Sequence, residues 1–156
     1  MNDAMKQQIQ KLLDQHRTLR IATPRPDGWP QVMTVGYANE GFTIYFLCGT
    51  DSQKAANLDR DDRVSLAIDD DPAEVMEITG ISMAARAKPV TDRTEAEKAI
   101  ALLMARYPEQ KASGLPTHAV GGSPVSPYAD GNLAARLFEG VWTHRSRDVL
   151  SAHCDR

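Results

Sequence analysis

Short apolar segments separated by tight polar turns occupy the first third of the chain, and this pattern constrains the fold most. "LRIATP" is followed by a Pro-Asp-Gly turn at residues 26–28, "QVMTVGYA" by "NEG", and "FTIYFLC" completes the series. Segments of this length, rich in Val, Ile, Thr, Tyr and Phe, are typical of β-strands. Turns this short join antiparallel neighbours, because a parallel pair needs a crossover of about a dozen residues or more. The sequence therefore predicts an antiparallel meander.

Three more strand-like segments follow the meander. "RVSLAID" alternates apolar and polar side chains, as a half-buried strand does. A longer stretch covers residues 75–90, with Gly80 as the expected bulge or bend. "ARLFEGVWTHR" ends the series at residues 135–145. With the helices described next, these segments predict a mainly β fold, a six-stranded antiparallel barrel with peripheral helices.

Helical spacing marks the start of the chain and the region after residue 90. Asp3 is the expected N-cap of the first helix. Its apolar face is formed by Met5, Ile9, Leu12 and Leu13. Asp92 and Glu95 form a capping-box pattern before the second helix, which Pro108 ends. The apolar face expected for that helix is Ala96, Ile100, Leu103, Met104 and Tyr107.

Composition and charge limit the kind of partner. The chain has 156 residues, 42% of them apolar and 25% charged, as expected for one domain spanning residues 1–156. The formal net charge of −3 predicts neither a nucleic-acid partner nor a membrane surface. No stretch approaches the about 18 apolar residues of a membrane span, and the start shows no signal-peptide pattern. A phosphate-bearing ligand therefore needs a local basic site.

Cysteines, histidines and one long polar stretch complete the inventory. Cys48 and Cys154 lie far apart, so reduced thiols in the cytoplasm are expected, with a single disulfide left open. Residues 108–132 are rich in Pro, Gly and Ser and predict a surface loop, or alternatively a lid or a dimer-wrapping arm. No metal site is predicted, because no metal-ligand spacing connects the four histidines His16, His118, His144 and His153.

The candidate chemistry lies where the third strand ends and a short helix begins, in "CGTDSQKAANL". A helix start exposes unpaired N–H groups and a partial positive charge, so it can bind an anion. Ser52 offers a hydroxyl there, and Lys54 offers a point charge suited to phosphate. The alternative is that Asp51 or Ser52 only caps the helix while Lys54 faces water.

This segment, the following "RVSL" and the later "ITGISMAARAKPVTD" together resemble the pyridoxamine-phosphate-oxidase-like family of FMN-binding split barrels. The resemblance extends over about residues 19–92. It implies a six-stranded split barrel that forms a homodimer, with FMN in the subunit interface. It also implies that Ser52, Gln53 and Lys54 hold the FMN phosphate.

The same resemblance implies the rest of the pocket. The residues expected to line the flavin are Val32, Met33, Thr34, Val35, Leu47, Cys48 and Gly49. The side chains of residues 32–35 could equally belong to the barrel core. Trp142 is expected either to cover the flavin from the partner subunit or to be buried without touching it. Cys48 is interpreted as a small core residue rather than a nucleophile, because no base is paired with it.

Two departures from the family pattern bear on activity. Val32 and Tyr37 stand where members that oxidise pyridoxamine phosphate carry an arginine and a lysine. The end of the chain, "FEGVWTHRSRDVLSAHCDR", lacks their C-terminal motif. Oxidation of pyridoxamine phosphate is therefore not expected.

The leading hypothesis is an FMN-dependent oxidoreductase acting on an unidentified small molecule, with no catalytic residue assigned. One alternative is a reductase of the same fold that uses the deazaflavin F420. A second is a flavin- or haem-binding protein without turnover, in which His144 or His118 would be the axial ligand of haem. A third is a barrel whose cofactor pocket has been lost.

Overall fold

The computed structural model describes residues 2–109, and the backbone alone of residues 132–145 and 149–151. Within these residues the helices are α1 (Asp3–Gln15), α2 (Gln53–Arg60) and α3 (Arg93–Arg106). The strands are β1 (Thr18–Pro24), β2 (Pro30–Glu40), β3 (Thr43–Gly49), β4 (Arg63–Asp69), β5 (Gly80–Pro89), β6 (Asn132–Arg145) and β7 (Val149–Ser151). None of the helices in this part of the chain is long and apolar enough to span a bilayer.

The sheet closes on itself to form a barrel. Its strand order is β3-β2-β1-β4-β5-β6, and β6 returns to pair with β3. Every neighbouring pair is antiparallel. The closing ladder extends from Ile44–Leu137 to Gly49–Asn132. The predicted mainly β, six-stranded antiparallel barrel with peripheral helices is confirmed, and the short β7, which the sequence did not predict, extends the edge at β6.

The barrel interior and α1 share one apolar core. Leu19 and Ile21 of β1 are fully buried, as are Ile9 and Leu13 of α1, which packs against β4 and β5. Each such side chain contributes about 1.5–3 kcal/mol on burial. Strand β3 is buried on both faces, because α3 covers its outer side at Tyr45. The helical and strand periods of the sequence therefore meet in a single core.

The end of the β4–β5 connection differs from the prediction. Val75–Glu77 form a 3₁₀ turn with Val75 75% exposed, and β5 begins only at Gly80. A Cβ at Gly80 would lie 2.7 Å from the carbonyl oxygen of Ile68, so the glycine allows two backbones to approach closely. The irregularity in the ladder lies between Ala84 and Arg86 instead. Of the expected bulge or bend at Gly80, the bulge is wrong. The glycine is needed there because the backbone of β4 passes too close to leave room for a Cβ.

Of the N-caps predicted for α1 and α3, the one for α3 agrees with the structure and the one for α1 does not. Asp92 caps α3, because its carboxylate accepts the Glu95 N–H at 2.8 Å. Asn2, rather than Asp3, caps α1 by accepting the Met5 N–H at 2.9 Å. Both residue types are good caps, so the pattern located the helix start to within one residue.

The buried face of α3 includes Leu103 and Tyr107, as expected, but is displaced toward Ala99. Ala99, Leu103 and Tyr107 are buried, whereas Ile100 and Met104 are only half-buried. Leu103 and Tyr107 pack against Ala38 of β2. The helix thus covers the outer side of the sheet next to the β2–β3 pair.

Tyr107 joins the end of α3 to the start of the barrel. Its hydroxyl oxygen accepts the Tyr37 N–H at 2.8 Å and lies 3.0 Å from the Tyr37 carbonyl oxygen. The same hydroxyl donates to the carbonyl oxygen of Arg17. One buried side chain therefore ties Arg17, the residue before β1, to Tyr37 of β2.

Tyr107→Phe is expected to lower the free energy of unfolding by about 2 kcal/mol, because it leaves buried backbone groups without this partner while keeping the ring. Urea denaturation followed by circular dichroism measures the change. Tyr45→Phe is the matched control with a smaller expected loss, since the Glu95 partner of Tyr45 is only half-buried and can turn to water. An unchanged denaturation midpoint for Tyr107→Phe would contradict the assignment.

Candidate functional site

The barrel splits between β2 and β3. These strands pair only from Tyr37–Phe46 to Glu40–Thr43. Beyond that point β2 continues beside β1 back to Pro30, while β3 continues beside β6 to Gly49. Within the described registers, residues 30–36 of β2 therefore face a gap instead of β3.

Alternate backbone groups of β2 point into this gap. Tyr37 N–H bonds to the Arg17 carbonyl of the neighbouring strand segment at 3.4 Å. Since an antiparallel ladder alternates, the N–H and C=O groups of Val32, Thr34 and Gly36 point away from β1. The edge of β2 thus offers donors and acceptors at regular spacing to a planar polar ligand.

The side chains of residues 32–35, which were predicted to line a pocket, separate into two sets. Val32 is 65% exposed and Thr34 is also exposed, so both remain available on the outer face. Val35 belongs to the barrel core, and Met33 packs against that core. Val32 and Thr34, together with the backbone edge of β2, are therefore accessible to a ligand on the outer face.

Ser52 links the end of β3 to the start of α2. Its hydroxyl donates to the Gly49 carbonyl at 2.6 Å and accepts the Ala55 N–H at 3.2 Å. The Ala56 N–H bonds to the Ser52 carbonyl. Among the described contacts, the N–H groups of Gln53 and Lys54 are the first-turn donors left without a partner. Of the two caps considered, Asp51 and Ser52, the structure shows Ser52, and two backbone donors remain for an anion.

Lys54 is buried rather than exposed. Only 8% of its surface is accessible, and its Nζ lies 5.4 Å from the ring centroid of Phe46. No carboxylate of the described residues pairs with it. Burial lowers the pKa of Lys54, opposed by the nearby Cys48. The alternative in which Lys54 faces water is wrong, because a buried, unpaired ammonium occupies this helix start.

The residues at the end of β3 serve packing. Cys48 lies in the barrel core, and burial raises the pKa of its thiol, although Lys54 and Ser52 act in the opposite direction. Leu47 packs outward under α3. The interpretation of Cys48 as a core residue rather than a nucleophile fits its burial.

A buried polar cluster beneath α2 was not predicted from the sequence. Asn57 is 1% exposed, and its Nδ2 donates to Thr23 Oγ1 at 3.0 Å and to Gln31 Oε1 at 3.1 Å. Gln53 Nε2 donates to Asn57 Oδ1 at 3.0 Å. The available signal was an asparagine on the inner face of a helix, where this residue type is disfavoured unless it has partners.

A cleft of about 620 Å³ adjoins α2, the residues on either side of it and the end of β5. Three of its charged side chains are engaged with other parts of the protein. Asp61 pairs with Arg63, Asp62 with Arg86, and Arg60 donates to the Pro24 carbonyl oxygen. These three side chains are therefore already bonded within the protein.

The remaining candidates lie partly outside the described residues. Trp142 pairs through its backbone with Met83, and His144 with Ile81, but their side chains are not described. His16 lies at the end of α1, with Nε2 3.0 Å from an Asp70 carboxylate oxygen. His118, His153, Cys154 and residues 110–131 of the predicted loop also fall outside. Within the described part of the chain, no cluster of His, Cys, Asp and Glu could hold a metal ion.

An antiparallel barrel whose ladder opens between two neighbouring strands, here β2 and β3, is a split barrel. The pyridoxamine 5'-phosphate oxidase family model matches residues 5–126, more than half of the chain, and the chain belongs to this family. No protein among the curated sequences matches the chain.

Solved structures share the fold over most of the chain. A protein of unknown function from Agrobacterium tumefaciens superposes with a TM-score of 0.73 at 20% identity, covering 95% of this chain but only 59% of that protein. A haem-binding protein from Mycobacterium smegmatis gives 0.69 at 18% identity, with coverages of 91% and 55%. An FAD-binding protein from Mesorhizobium loti gives 0.65 at 16% identity, with coverages of 94% and 96%. At these identities the likeness establishes the fold alone.

Proposed function

We propose that the chain binds FMN at the split between β2 and β3 and acts as a flavin-dependent oxidoreductase on a small molecule. The observation that carries the proposal is Lys54, a buried ammonium without an anionic partner at the start of α2. Burying an unpaired charge costs free energy, and a phosphate dianion would offset that cost. The family supports a flavin as the source of this phosphate.

The phosphate is placed at the start of α2. The free N–H groups of Gln53 and Lys54 point toward the same end of the helix, where the partial positive charge of the helix adds to that of the ammonium. Ser52 keeps its hydroxyl on Gly49 and so holds the strand end in position. The anion is therefore bound by two backbone donors and one side-chain charge.

The ring of the cofactor is placed along the open edge of β2. The outward N–H and C=O groups of Val32, Thr34 and Gly36 would offer hydrogen-bond donors and acceptors to the polar rim of an isoalloxazine. The flavin supplies hydride or electron transfer when bound, while the protein orients it and excludes water. Exposed Val32, together with Trp29 at 74% exposure, also supports a homodimer that covers the ring. The dimer is proposed to act in the cytoplasm.

Oxidation of pyridoxamine phosphate is not proposed. Val32 carries no charge, and Tyr37 is fully buried with its hydroxyl donating to the Leu13 carbonyl at 2.9 Å. Neither side chain can replace the arginine or lysine of the family pattern. No general acid or base is assigned to the gap among the described residues. A substrate that stacks on the ring and exchanges a hydride with it fits this site.

A haem-binding protein without turnover is the second candidate, because structural relatives from Mycobacterium smegmatis and Vibrio cholerae bind or store haem. F420 in place of FMN is a third, on the same scaffold. The described histidine, His16, lies beside Asp70 at the end of α1, next to the barrel strands β4 and β5 and not at the β2–β3 gap. His16 is therefore not placed to be an axial ligand at the gap, and the haem candidate depends on His144 or His118, whose side chains lie outside the described residues.

The visible absorption spectrum of the purified protein tests these alternatives, followed by mass spectrometry of the cofactor released by heat. A flavin spectrum with FMN released is the expected result. A Soret band would instead establish haem, and released F420 would establish the deazaflavin. A colourless protein that also fails to bind added FMN would contradict the proposal.

A further inference from the structure

The amide cluster beneath α2 joins the open edge of β2 to the start of the helix. Gln31 is the second residue of β2, within the stretch that faces the gap. Gln53 is the first residue of α2, whose N–H is a free donor. Asn57 bonds to both side chains, at 3.1 Å and 3.0 Å. One buried side chain therefore connects the two parts of the protein that the cofactor would touch.

The cluster holds the amide of Gln31 in one orientation. Asn57 Nδ2 donates one proton to Thr23, which is fully buried, and the other to the Gln31 oxygen. The acceptor of Gln31 is thus engaged, which leaves its amino group to donate. Gln31 is half-buried, and among the described residues nothing accepts a hydrogen bond from that amino group. A side chain held in this way presents a donor at little further entropic cost.

We propose that the amino group of Gln31 donates a hydrogen bond to the phosphate of the bound flavin nucleotide, and that Asn57 is the positioning residue that holds it. This inference rests on the proposed function. Gln31 lies next to Val32, which stands where the family pattern has an arginine. The neutral amino group of Gln31 would replace part of the phosphate binding that this arginine would provide. The contact is specific to the phosphate, because Gln31 reaches α2 rather than the outward edge of β2.

Two probes that differ only by the phosphate, FMN and riboflavin, test the assignment by fluorescence titration. Gln31→Ala is expected to weaken FMN binding about tenfold or more, as for a hydrogen bond to a charged group, with riboflavin affinity changed less than about twofold. Gln31→Glu keeps the acceptor for Asn57 but replaces the donor with a negative oxygen, so FMN should bind more weakly still. Gln8→Ala and Gln8→Glu, at an exposed position of α1, are the matched controls.

A double-mutant cycle tests the positioning role. Asn57→Asp cannot donate to Gln31, and its carboxylate would instead attract the Gln31 amino group away from the phosphate. The loss of FMN affinity caused by Asn57→Asp should therefore shrink in the Gln31→Ala background. Additive losses would overturn the role of Asn57. Melting temperatures identify any variant that fails to fold. If Asn57→Asp does not fold, the test rests on Gln31→Ala and Gln31→Glu, because position 31 is only half-buried.

The outcomes separate this inference from the proposed function. A wild-type protein that binds neither FMN nor riboflavin overturns both. A wild-type protein that binds FMN, with Gln31→Ala unchanged, overturns this inference alone. Equal losses of FMN and riboflavin affinity would place Gln31 on the ring and would also overturn the phosphate contact.

Discussion

Lys54→Ala is expected to weaken FMN binding by about two orders of magnitude, or ~3 kcal/mol, because truncating one partner of a buried charge pair typically costs 2–5 kcal/mol. The variant leaves the phosphate with the backbone donors of α2 and the partial charge of the helix only. Riboflavin, which has no phosphate, should bind the variant and the wild type alike. Titration of both ligands by flavin fluorescence measures the effect.

Removing the charge of Lys54 should raise the stability of the cofactor-free protein, although it lowers FMN affinity. Lys54 is 8% exposed without an anionic partner, so its charge destabilises the cofactor-free fold. Lys54→Met, which keeps the packing volume, is expected to raise the free energy of unfolding by roughly 1 kcal/mol. Lys11→Ala, at an exposed position of α1, is the control and should change neither quantity. Retention of FMN through purification by Lys54→Ala, at wild-type occupancy, would contradict the phosphate site.

FMN affinity is expected to fall with rising pH well before an ordinary lysine titrates. Burial lowers the pKa of Lys54 below its usual 10.5, so the ammonium is lost from the empty site earlier than from an exposed lysine. The phosphate monoester has its second pKa at about 6 and stays dianionic throughout this range. The attraction therefore disappears as the pH rises through the lowered pKa of Lys54.

The stability of the empty protein should move the other way over the same pH range. Between the lowered pKa of folded Lys54 and 10.5, the unfolded chain binds more protons than the folded chain. The free energy of unfolding therefore gains a contribution that rises with pH. Burial raises the pKa of Cys48 from 9.0, so the contribution of Cys48 falls with pH over an overlapping range. The difference between wild type and Lys54→Met isolates Lys54 from this second effect.

FMN and riboflavin titrations from pH 7 to 10.5, in wild type and Lys54→Met, provide the measurement. Wild-type affinity for FMN should converge on the weaker, pH-independent affinity of Lys54→Met at the alkaline end. Riboflavin controls for ionisation of the flavin ring. Parallel pH profiles for FMN in the two proteins would show that Lys54 does not contribute the charge.

Local signals in the sequence located most elements of the fold. The turn at residues 26–28, the cap at Asp92 and the cap at Ser52 depend on neighbouring residues, and the structure confirms all three. The alternation of "RVSLAID" likewise predicts the buried face of β4 correctly. Such features can be predicted from sequence because their hydrogen bonds and their alternation involve residues only a few positions apart.

The predictions that failed concern segments whose structure depends on contacts with distant parts of the chain. Val75 and Met76 have apolar, strand-like character, yet they lie in an exposed turn because β4 pairs with β5 only from Gly80 onward. The buried face of α3 rotated toward Ala99, since the surface that the helix covers is set by β2 and β3. Neither partner is visible in the local sequence.

For the candidate site, the sequence by itself determined the residue types and the helix start: a capping serine, a lysine two residues later and a short helix after β3. Only the tertiary structure decided that Lys54 is buried without a carboxylate partner among the described residues. It also decided that β2 pairs with β3 only from Tyr37 onward, and that Asn57 bonds to both Gln31 and Gln53. The physical reason is that the strand separation depends on pairing across the barrel, the contact of Asn57 with Gln31 joins residues 26 apart, and the burial of Lys54 depends on how α2 packs against β1 and β3. No local pattern encodes these arrangements.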